Sequence, residues 1–69
     1  MELTRVQSKS IEAIGYEKDE ELLGVVFKSG EVFHYKDVPH NIYMSFMTAP
    51  SFGTFYNEYV KDQFEFEKI

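Results

Sequence analysis

The pattern of apolar and polar positions predicts three strands in the first half of the chain. They cover IEAIGYEK at residues 11–18, LLGVVFK at residues 22–28 and EVFHYKD at residues 31–37. All three are short runs rich in β-branched and aromatic residues, which fit a pleated, half-buried surface. Gly15 interrupts the first run, as expected at a bulge or where another backbone comes close.

The second half of the chain is predicted to form two short helices and a closing strand. Apolar residues recur at helical spacing between Pro39, which is favoured at the first position of a helix, and Pro50. Ser51 can cap a second helix that extends to Asp62. The tail QFEFEKI then alternates Phe with Glu, as a half-buried strand does. The predicted fold is α+β in the order β-β-β-α-α-β, a single domain over residues 1–69 with two short helices packed on one face of a small antiparallel sheet.

The register of the central hairpin decides where the aromatic side chains point. A three-residue loop, KSG with Gly30 in the left-handed position, places Phe33 and Tyr35 on the same face as Leu23. A two-residue turn would divide the large apolar side chains between the two faces. We favour the three-residue loop, which directs both rings toward the core rather than presenting them as a stacking platform for bases.

The same register leaves a mild outer face on the sheet. It carries Val26, Val32 and His34, which are neither strongly charged nor large. Such a face is expected where a sheet meets a second subunit or another partner. We interpret these three residues as an interface.

Composition favours self-association. Seven Phe and five Tyr are more large rings than a core of 69 residues readily hides. Domains of this size usually need a disulfide, a structural metal or oligomerisation for stability. The chain has no cysteine, which excludes a disulfide and a thiolate zinc site, so a homo-oligomer is expected.

The charge balance limits the classes of partner. Twelve acidic and seven basic residues give a net charge of −5, and the basic residues are dispersed along the chain. Extended nucleic acid is therefore disfavoured, because phosphate-backbone binding normally uses a basic patch. A compact anion remains compatible with this composition. Without a leader, an apolar run of about 18 residues or a lipidation motif, the chain is expected in the cytoplasm, with no membrane partner.

The segment APSFGTFYN, residues 49–57, is the strongest candidate for ligand binding. Hydroxyls and backbone N–H groups at the start of a helix are suited to hold a phosphate or a carboxylate, and the following ring and amide can contact a base. A plain capped helix after a proline corner is the alternative. A tyrosine hydroxyl from the central hairpin is expected at the edge of this pocket. The predicted ligand-binding residues are Ser51, Gly53, Thr54, Tyr56, Asn57, Tyr35, Tyr43 and Arg5.

Catalysis is not indicated. His34 and His40 have no nucleophile, carboxylate pair or metal-spaced histidine near them in sequence. No metal site, cofactor or catalytic residue is predicted, and the chain is not expected to be an enzyme.

Several short motifs together resemble the KTSC domain, a family found at the C-terminus of some lysyl-tRNA synthetases and as single-domain proteins of bacteria and phages. They are IGY at residues 14–16, FKSG at 27–30, FHY at 33–35, VP at 38–39, APS at 49–51 and YN at 56–57, with Ser8, Ile11, Tyr43, Gly53 and Ile69. FHY resembles the central Tyr-X-Tyr of the family, with Phe in the first place. The resemblance extends over nearly the whole chain and implies a bacterial or phage-infected bacterial cell as the setting. RNA binding has been suggested for the family, and the acidic tail with Glu65 and Glu67 disfavours it here.

Three hypotheses for function follow. The first is a homo-oligomeric, non-catalytic protein that binds a small nucleotide, in a form that would suit a phage anti-defence sponge for a cyclic nucleotide immune signal. The second is RNA binding, by analogy with the family. The third is a protein-interaction module that uses the outer face of the sheet.

Overall fold

The computed structural model describes residues 1–69 as a five-stranded antiparallel sheet with helices on one face. Strand order in the sheet follows the order in the chain, because the last strand returns from the helices to pair with the fourth. The predicted α+β fold is confirmed, with one additional strand at the start. The strands are β1 (Leu3–Arg5), β2 (Ile11–Glu17), β3 (Leu22–Phe27), β4 (Val32–Tyr35) and β5 (Phe66–Lys68). The helices are α1 (His40–Met47) and α2 (Phe52–Phe55), which continues into a π-helical turn (Tyr56–Val60).

The additional strand, β1, has no apolar pattern that would predict it. Its three residues are all exposed, and it pairs along the edge of β2 with Leu3 opposite Gly15. A Cβ atom on Gly15 would lie 2.7 Å from the carbonyl oxygen of Glu2. Gly15 is therefore a point of close approach, while the bulge in β2 lies between Ile11 and Ala13.

The β3–β4 hairpin has the three-residue loop predicted from the sequence. Gly30 has a φ of 99°, in the left-handed region, and its N–H donates to the Phe27 carbonyl at 2.9 Å. The Phe27 N–H donates in turn to the Glu31 carbonyl at 2.8 Å. Leu23 is opposite Tyr35, which confirms the register and places Tyr35 in the core.

The core lies between the inner face of the sheet and the helices. Phe46 of α1 is fully buried and stacks on Phe55 of α2 with ring centroids 5.2 Å apart. Tyr16 fixes the β4–α1 connection, because its hydroxyl donates to the Val38 carbonyl at 2.6 Å. The core residues are Ile11, Ile14, Leu23, Val25, Tyr35, Val38, Phe46 and Val60.

The second half of the chain differs from prediction in its boundaries. The first helix is as expected, whereas the predicted second helix is a single α-helical turn followed by the π-helical turn. The Ser51 hydroxyl caps α2 by accepting the N–H of Thr54 at 3.2 Å, as predicted. The closing strand has only three residues, and Phe66 remains 54% exposed at the sheet edge. No helix is long and apolar enough to cross a membrane.

The outer face of the sheet has no helix against it. Val26, Val32 and His34 lie there half-buried, on the side opposite the core as the register requires. Part of this face is covered by the start of the chain, since a Cβ atom on Gly24 would lie 2.5 Å from the Met1 sulfur.

Candidate ligand-binding clefts

Two loops face each other across a polar cleft of about 460 Å³. One loop, residues 7–10, joins β1 to β2, and the other is the turn that begins α2. We call this the hydroxyl cleft, because the side chains that line it include four hydroxyls and two amides: Ser8, Ser10, Ser51, Thr54, Gln7 and Asn57. The cleft contains most of the segment that the sequence identified as the candidate site.

Side-chain hydrogen bonds hold both loops in place. The Ser8 hydroxyl accepts the N–H groups of Ser10 at 3.4 Å and Ile11 at 3.3 Å. The Lys28 N–H donates to the Ser10 carbonyl at 2.8 Å, which ties this loop to the end of β3. The opposite loop is held by the Ser51 cap described above. The walls of the hydroxyl cleft are therefore formed before any ligand is present, which reduces the entropy cost of binding.

Gly53 sets the width of the hydroxyl cleft. The closest atom to a Cβ added at this position would be the Ser10 hydroxyl oxygen, at 3.9 Å. That distance is an ordinary van der Waals contact, and Gly53 has no left-handed φ. An alanine at this position would consequently fit the fold but narrow the cleft.

A second cleft, also about 460 Å³, lies beside the first and combines rings with cations. We call it the lysine cleft. Phe27 packs edge-on against Phe33 and Tyr56, with ring centroids 5.6 and 5.2 Å apart. Around the three rings stand Lys9, Lys28 and Lys61. Phe33 is thus at the margin of the core, where part of its ring faces this cleft.

All three lysines of this cleft lack an ion-pair partner. The ion pairs of the structure join the N-terminus to Glu17, Arg5 to Glu12, and Lys68 to Glu31. Glu31 also lines the lysine cleft, but its charge is compensated by the ion pair with Lys68, at 2.9 Å. The hydrogen bond and the charge of Lys68 lower the pKa of the Glu31 carboxyl group. The lysine cleft is therefore locally positive in a chain of net charge −5.

Sequence reasoning missed this cluster, because the three lysines are far apart along the chain. Lys9 lies between β1 and β2, Lys28 begins the loop of the β3–β4 hairpin, and Lys61 follows the π-helical turn. Only the antiparallel sheet and the return of the helices bring them together. The FKSG turn was the one local sequence feature that could have indicated the lysine cleft, because it places Lys28 next to Phe27 in the chain.

The π-helical turn positions two residues of the lysine cleft. The Lys61 N–H donates to the Tyr56 carbonyl at 2.8 Å, five residues back along the chain. This wider turn brings Lys61 and Tyr56 to the same cleft, whereas an α-helical turn would bond residues four apart. Isolated π-helical turns are rare in proteins, and many of those that occur lie at functional sites.

Tyr35 supports the lysine cleft from beneath. It is only 2% exposed, and its hydroxyl lies 2.5 Å from that of Tyr56. Burial is the main reason that the pKa of Tyr35 is raised, and the hydrogen bond to Tyr56 adds to the shift. The Tyr35 hydroxyl forms a hydrogen bond with the Tyr56 hydroxyl and lines neither cleft. The sequence predicted this hydroxyl at the edge of a pocket, and the structure does not place it there.

The structure separates two other predicted site residues from the clefts. Arg5 pairs with Glu12 across β1 and β2. Tyr43 of α1 stacks on Tyr16, with centroids 4.7 Å apart and planes 8° from parallel. The predicted residues that line the clefts are Ser51, Gly53, Thr54 and Asn57 in the hydroxyl cleft and Tyr56 in the lysine cleft.

The two clefts adjoin. Lys9 and Ser10 line both of them and form their common wall. A third, smaller hollow of about 200 Å³ lies on the other side of Ser51 and Thr54, against Phe55 and Tyr59. No group of three or more histidine or acidic side chains is arranged to hold a metal ion.

The family model that matches this chain is the KTSC domain, over residues 7–64. The crystal structure of a KTSC domain protein from Yersinia pestis has a TM-score of 0.97 to this fold at 32% sequence identity, and the superposition covers 99% of this chain and 96% of that one.

Two relatives show the contexts in which similar chains occur. A protein of Stutzerimonas stutzeri is 32% identical over 63 residues, which is 91% of this chain and 89% of the relative. A lysine-tRNA ligase of Nostoc punctiforme is 31% identical over 67 residues, which is 97% of this chain but 12% of the ligase. Together with the match over residues 7–64, these similarities show that the chain belongs to the KTSC domain family.

Proposed function

We propose that this protein is a non-catalytic module that binds a small nucleotide in the cytoplasm of a bacterial or phage-infected bacterial cell. One observation carries the proposal: three unpaired lysines surround three aromatic rings beside a cleft lined with hydroxyls and amides. A nucleotide has a negative phosphate, a flat base and a hydroxylated sugar, and each of these parts finds a matching group here.

The lysine cleft suits the phosphate and the base. Lysine is a point charge with three donors and binds phosphate from many directions. Stacking of a base on an aromatic side chain contributes about 1–3 kcal/mol. The volume of either cleft is within the usual range of about 300–1,000 Å³ for small-molecule sites.

The arrangement of the polar side chains supports binding rather than catalysis. The Ser51 hydroxyl donates a hydrogen bond to the Thr54 hydroxyl at 3.1 Å, and no histidine lines either cleft. His40 instead lies 5.6 Å from the ring of Tyr16, and His34 is on the outer face of the sheet. A nucleophile activated by a neighbouring base is absent from the clefts, so sequestration of the ligand is a better hypothesis than its turnover.

Self-association through the outer face belongs to the same proposal. A homo-oligomer would cover Val26, Val32 and His34 and would present several copies of the site. Such a binder would suit a phage anti-defence role in which a cyclic nucleotide immune signal is captured without being degraded.

RNA binding is the second candidate. The lysine cleft favours it, because proteins that bind single strands combine cations with aromatic rings, and here unpaired lysines stand beside half-buried rings. A similar segment within a lysine-tRNA ligase is consistent with this alternative. The net charge of −5 still favours a compact nucleotide over an extended strand.

A thermal-shift panel of mononucleotides and dinucleotides tests the proposal. A ligand that binds only the folded state adds about 2.7 kcal/mol of stability at 100 times its Kd, so the Tm of the protein is expected to rise. Lys28→Gln should remove most of the shift, whereas Lys18→Gln, at an exposed turn outside both clefts, should leave it unchanged. The proposal is wrong if no nucleotide raises the Tm at any concentration reached.

A further inference from the structure

We propose that the ligand is a two-nucleotide unit, in which two nucleosides are joined by a phosphodiester that lies against Lys9 and Ser10 with one nucleoside in each cleft. This inference rests on the proposed nucleotide-binding function and specifies the size class of the ligand.

The common wall of the two clefts is the first reason. Lys9 and Ser10 line both clefts, so a ligand that occupies both must pass over these two residues. Lys9 has no ion-pair partner, and the Ser10 hydroxyl makes no hydrogen bond within the protein. The Ser10 backbone is nevertheless fixed, because its carbonyl accepts the Lys28 N–H at 2.8 Å. An ammonium group and a free hydroxyl on a fixed loop are well suited to bind a phosphodiester.

The different linings of the clefts are the second reason. The lysine cleft has three aromatic rings and three lysines but no side-chain amide. The hydroxyl cleft has amides of Gln7 and Asn57 and several hydroxyls, with Phe52 as its only large apolar side chain. The single base of a mononucleotide can therefore use only one of these linings at a time. A ligand with two nucleosides uses both, one base stacked and the other contacted at its edge.

The remaining lysines indicate a second phosphate. Lys28 and Lys61 line the lysine cleft but not the hydroxyl cleft, and neither has an acidic partner. A 5′-phosphorylated linear dinucleotide and a cyclic dinucleotide both carry a second phosphate. The linear and the cyclic dinucleotide share the two nucleosides and two phosphates that the clefts would recognise. Their affinities can be compared by experiment.

Calorimetric titration with four probes tests the inference: 5′-AMP, the linear dinucleotide pApA, cyclic di-AMP and an oligoadenylate decamer. At least one of the two dinucleotides should bind about tenfold or more tightly than 5′-AMP, because it gains a charged hydrogen bond and a second set of contacts. Tighter binding of pApA would indicate a linear source, and tighter binding of cyclic di-AMP a cyclic one. Both results support the inference.

Two substitutions test where the dinucleotide binds, one at the proposed phosphodiester position and one in the hydroxyl cleft. Lys9→Gln should weaken dinucleotide binding about tenfold or more, while the matched Lys18→Gln should not change it. Gly53→Ala, which narrows the hydroxyl cleft without a clash, should weaken binding of the dinucleotide more than that of 5′-AMP.

Three results would overturn the inference while leaving nucleotide binding intact. The first is equal affinity for 5′-AMP and both dinucleotides. The second is an equal effect of Lys9→Gln and Lys18→Gln on dinucleotide binding. The third is a decamer that binds far more tightly than either dinucleotide and loses affinity steeply with salt, which would indicate an extended strand. If none of the four probes binds and no nucleotide of the thermal-shift panel raises the Tm, the proposed function fails as well.

Discussion

At the scale of single residues, Tyr35 connects the core to the candidate site. Its ring packs within the core, and its hydroxyl meets that of Tyr56, which lines the lysine cleft. The sequence predicted the buried ring through the hairpin register. It could not predict the hydroxyl contact, because Tyr56 lies on a π-helical turn that no local pattern specifies.

Replacement of Tyr35 by Phe should lower stability at neutral pH and alter its dependence on alkaline pH. The Tyr56 hydroxyl loses a partner, at a cost of about 1 kcal/mol in the free energy of unfolding. Burial, followed by the bond to Tyr56, raises the pKa of Tyr35 above its ordinary value of 10.0. Its stabilising contribution is complete below pH 10 and is lost as pH rises toward the raised pKa, by at most about 1.4 kcal/mol per pH unit.

Urea unfolding at neutral and alkaline pH measures both effects. The wild-type protein should lose stability more steeply above pH 10 than Tyr35→Phe does. Some alkaline loss remains in the variant, because burial and then the charge of Glu21 also raise the pKa of Tyr16. Tyr59→Phe, at a tyrosine that is 52% exposed, is the control and should resemble the wild type. Equal alkaline slopes for wild type and Tyr35→Phe would contradict the prediction.

At the scale of elements, the edge strand β1 depends on a glycine of its neighbour. Gly15 allows the backbone at Glu2 and the side chain of Leu3 to lie directly against β2. The sequence indicated a bulge or a close approach at Gly15, and the second alternative is the correct one. The partner strand itself could not be predicted, because three exposed residues carry no periodicity.

Substitution of Gly15 by Ala should detach or shift β1. The added methyl group would lie 2.7 Å from a backbone oxygen, and overpacking of this kind costs about 1–3 kcal/mol. Gly24→Ala is the matched control, because its methyl group would clash only with the flexible Met1 side chain, which can move aside, and would make an ordinary contact with His34 at 3.7 Å. Amide hydrogen exchange of β1 together with urea unfolding measures the difference. Intact protection of β1 in Gly15→Ala would show that the close approach is not a constraint.

At the scale of the whole molecule, folding redistributes charge that the sequence disperses. The seven basic residues have no cluster along the chain, yet three of them meet at the lysine cleft. Two further cations, Arg5 and Lys68, are neutralised by ion pairs. A net charge of −5 therefore does not exclude a local site for anions. The helices cover one face of the sheet, and no helix covers the other face, which carries Val26, Val32 and His34.

Val26→Glu should convert the proposed oligomer into monomers. The substitution places a charge on the outer face, where burial against a second subunit would be costly. Met44→Glu makes the same change at an exposed position of α1 and should leave the oligomer intact. Sedimentation equilibrium of both variants and the wild type gives the masses, and the Tm of each confirms folding. A monomeric wild-type protein, or an oligomer that persists in Val26→Glu, would rule out this interface.

The sequence by itself determined the fold class, the hairpin register, the first helix, the Ser51 cap and membership of the KTSC domain family. These features depend on local patterns: strand composition, the left-handed Gly30, proline positions and a capping hydroxyl. Only the tertiary structure decided the edge strand, the hydrogen bond between Tyr35 and Tyr56, and the lysine cleft. The edge strand was not predictable because its three exposed residues carry no periodicity. The other two join residues that are far apart along the chain, and such contacts are set by how strands and helices pack rather than by any local preference.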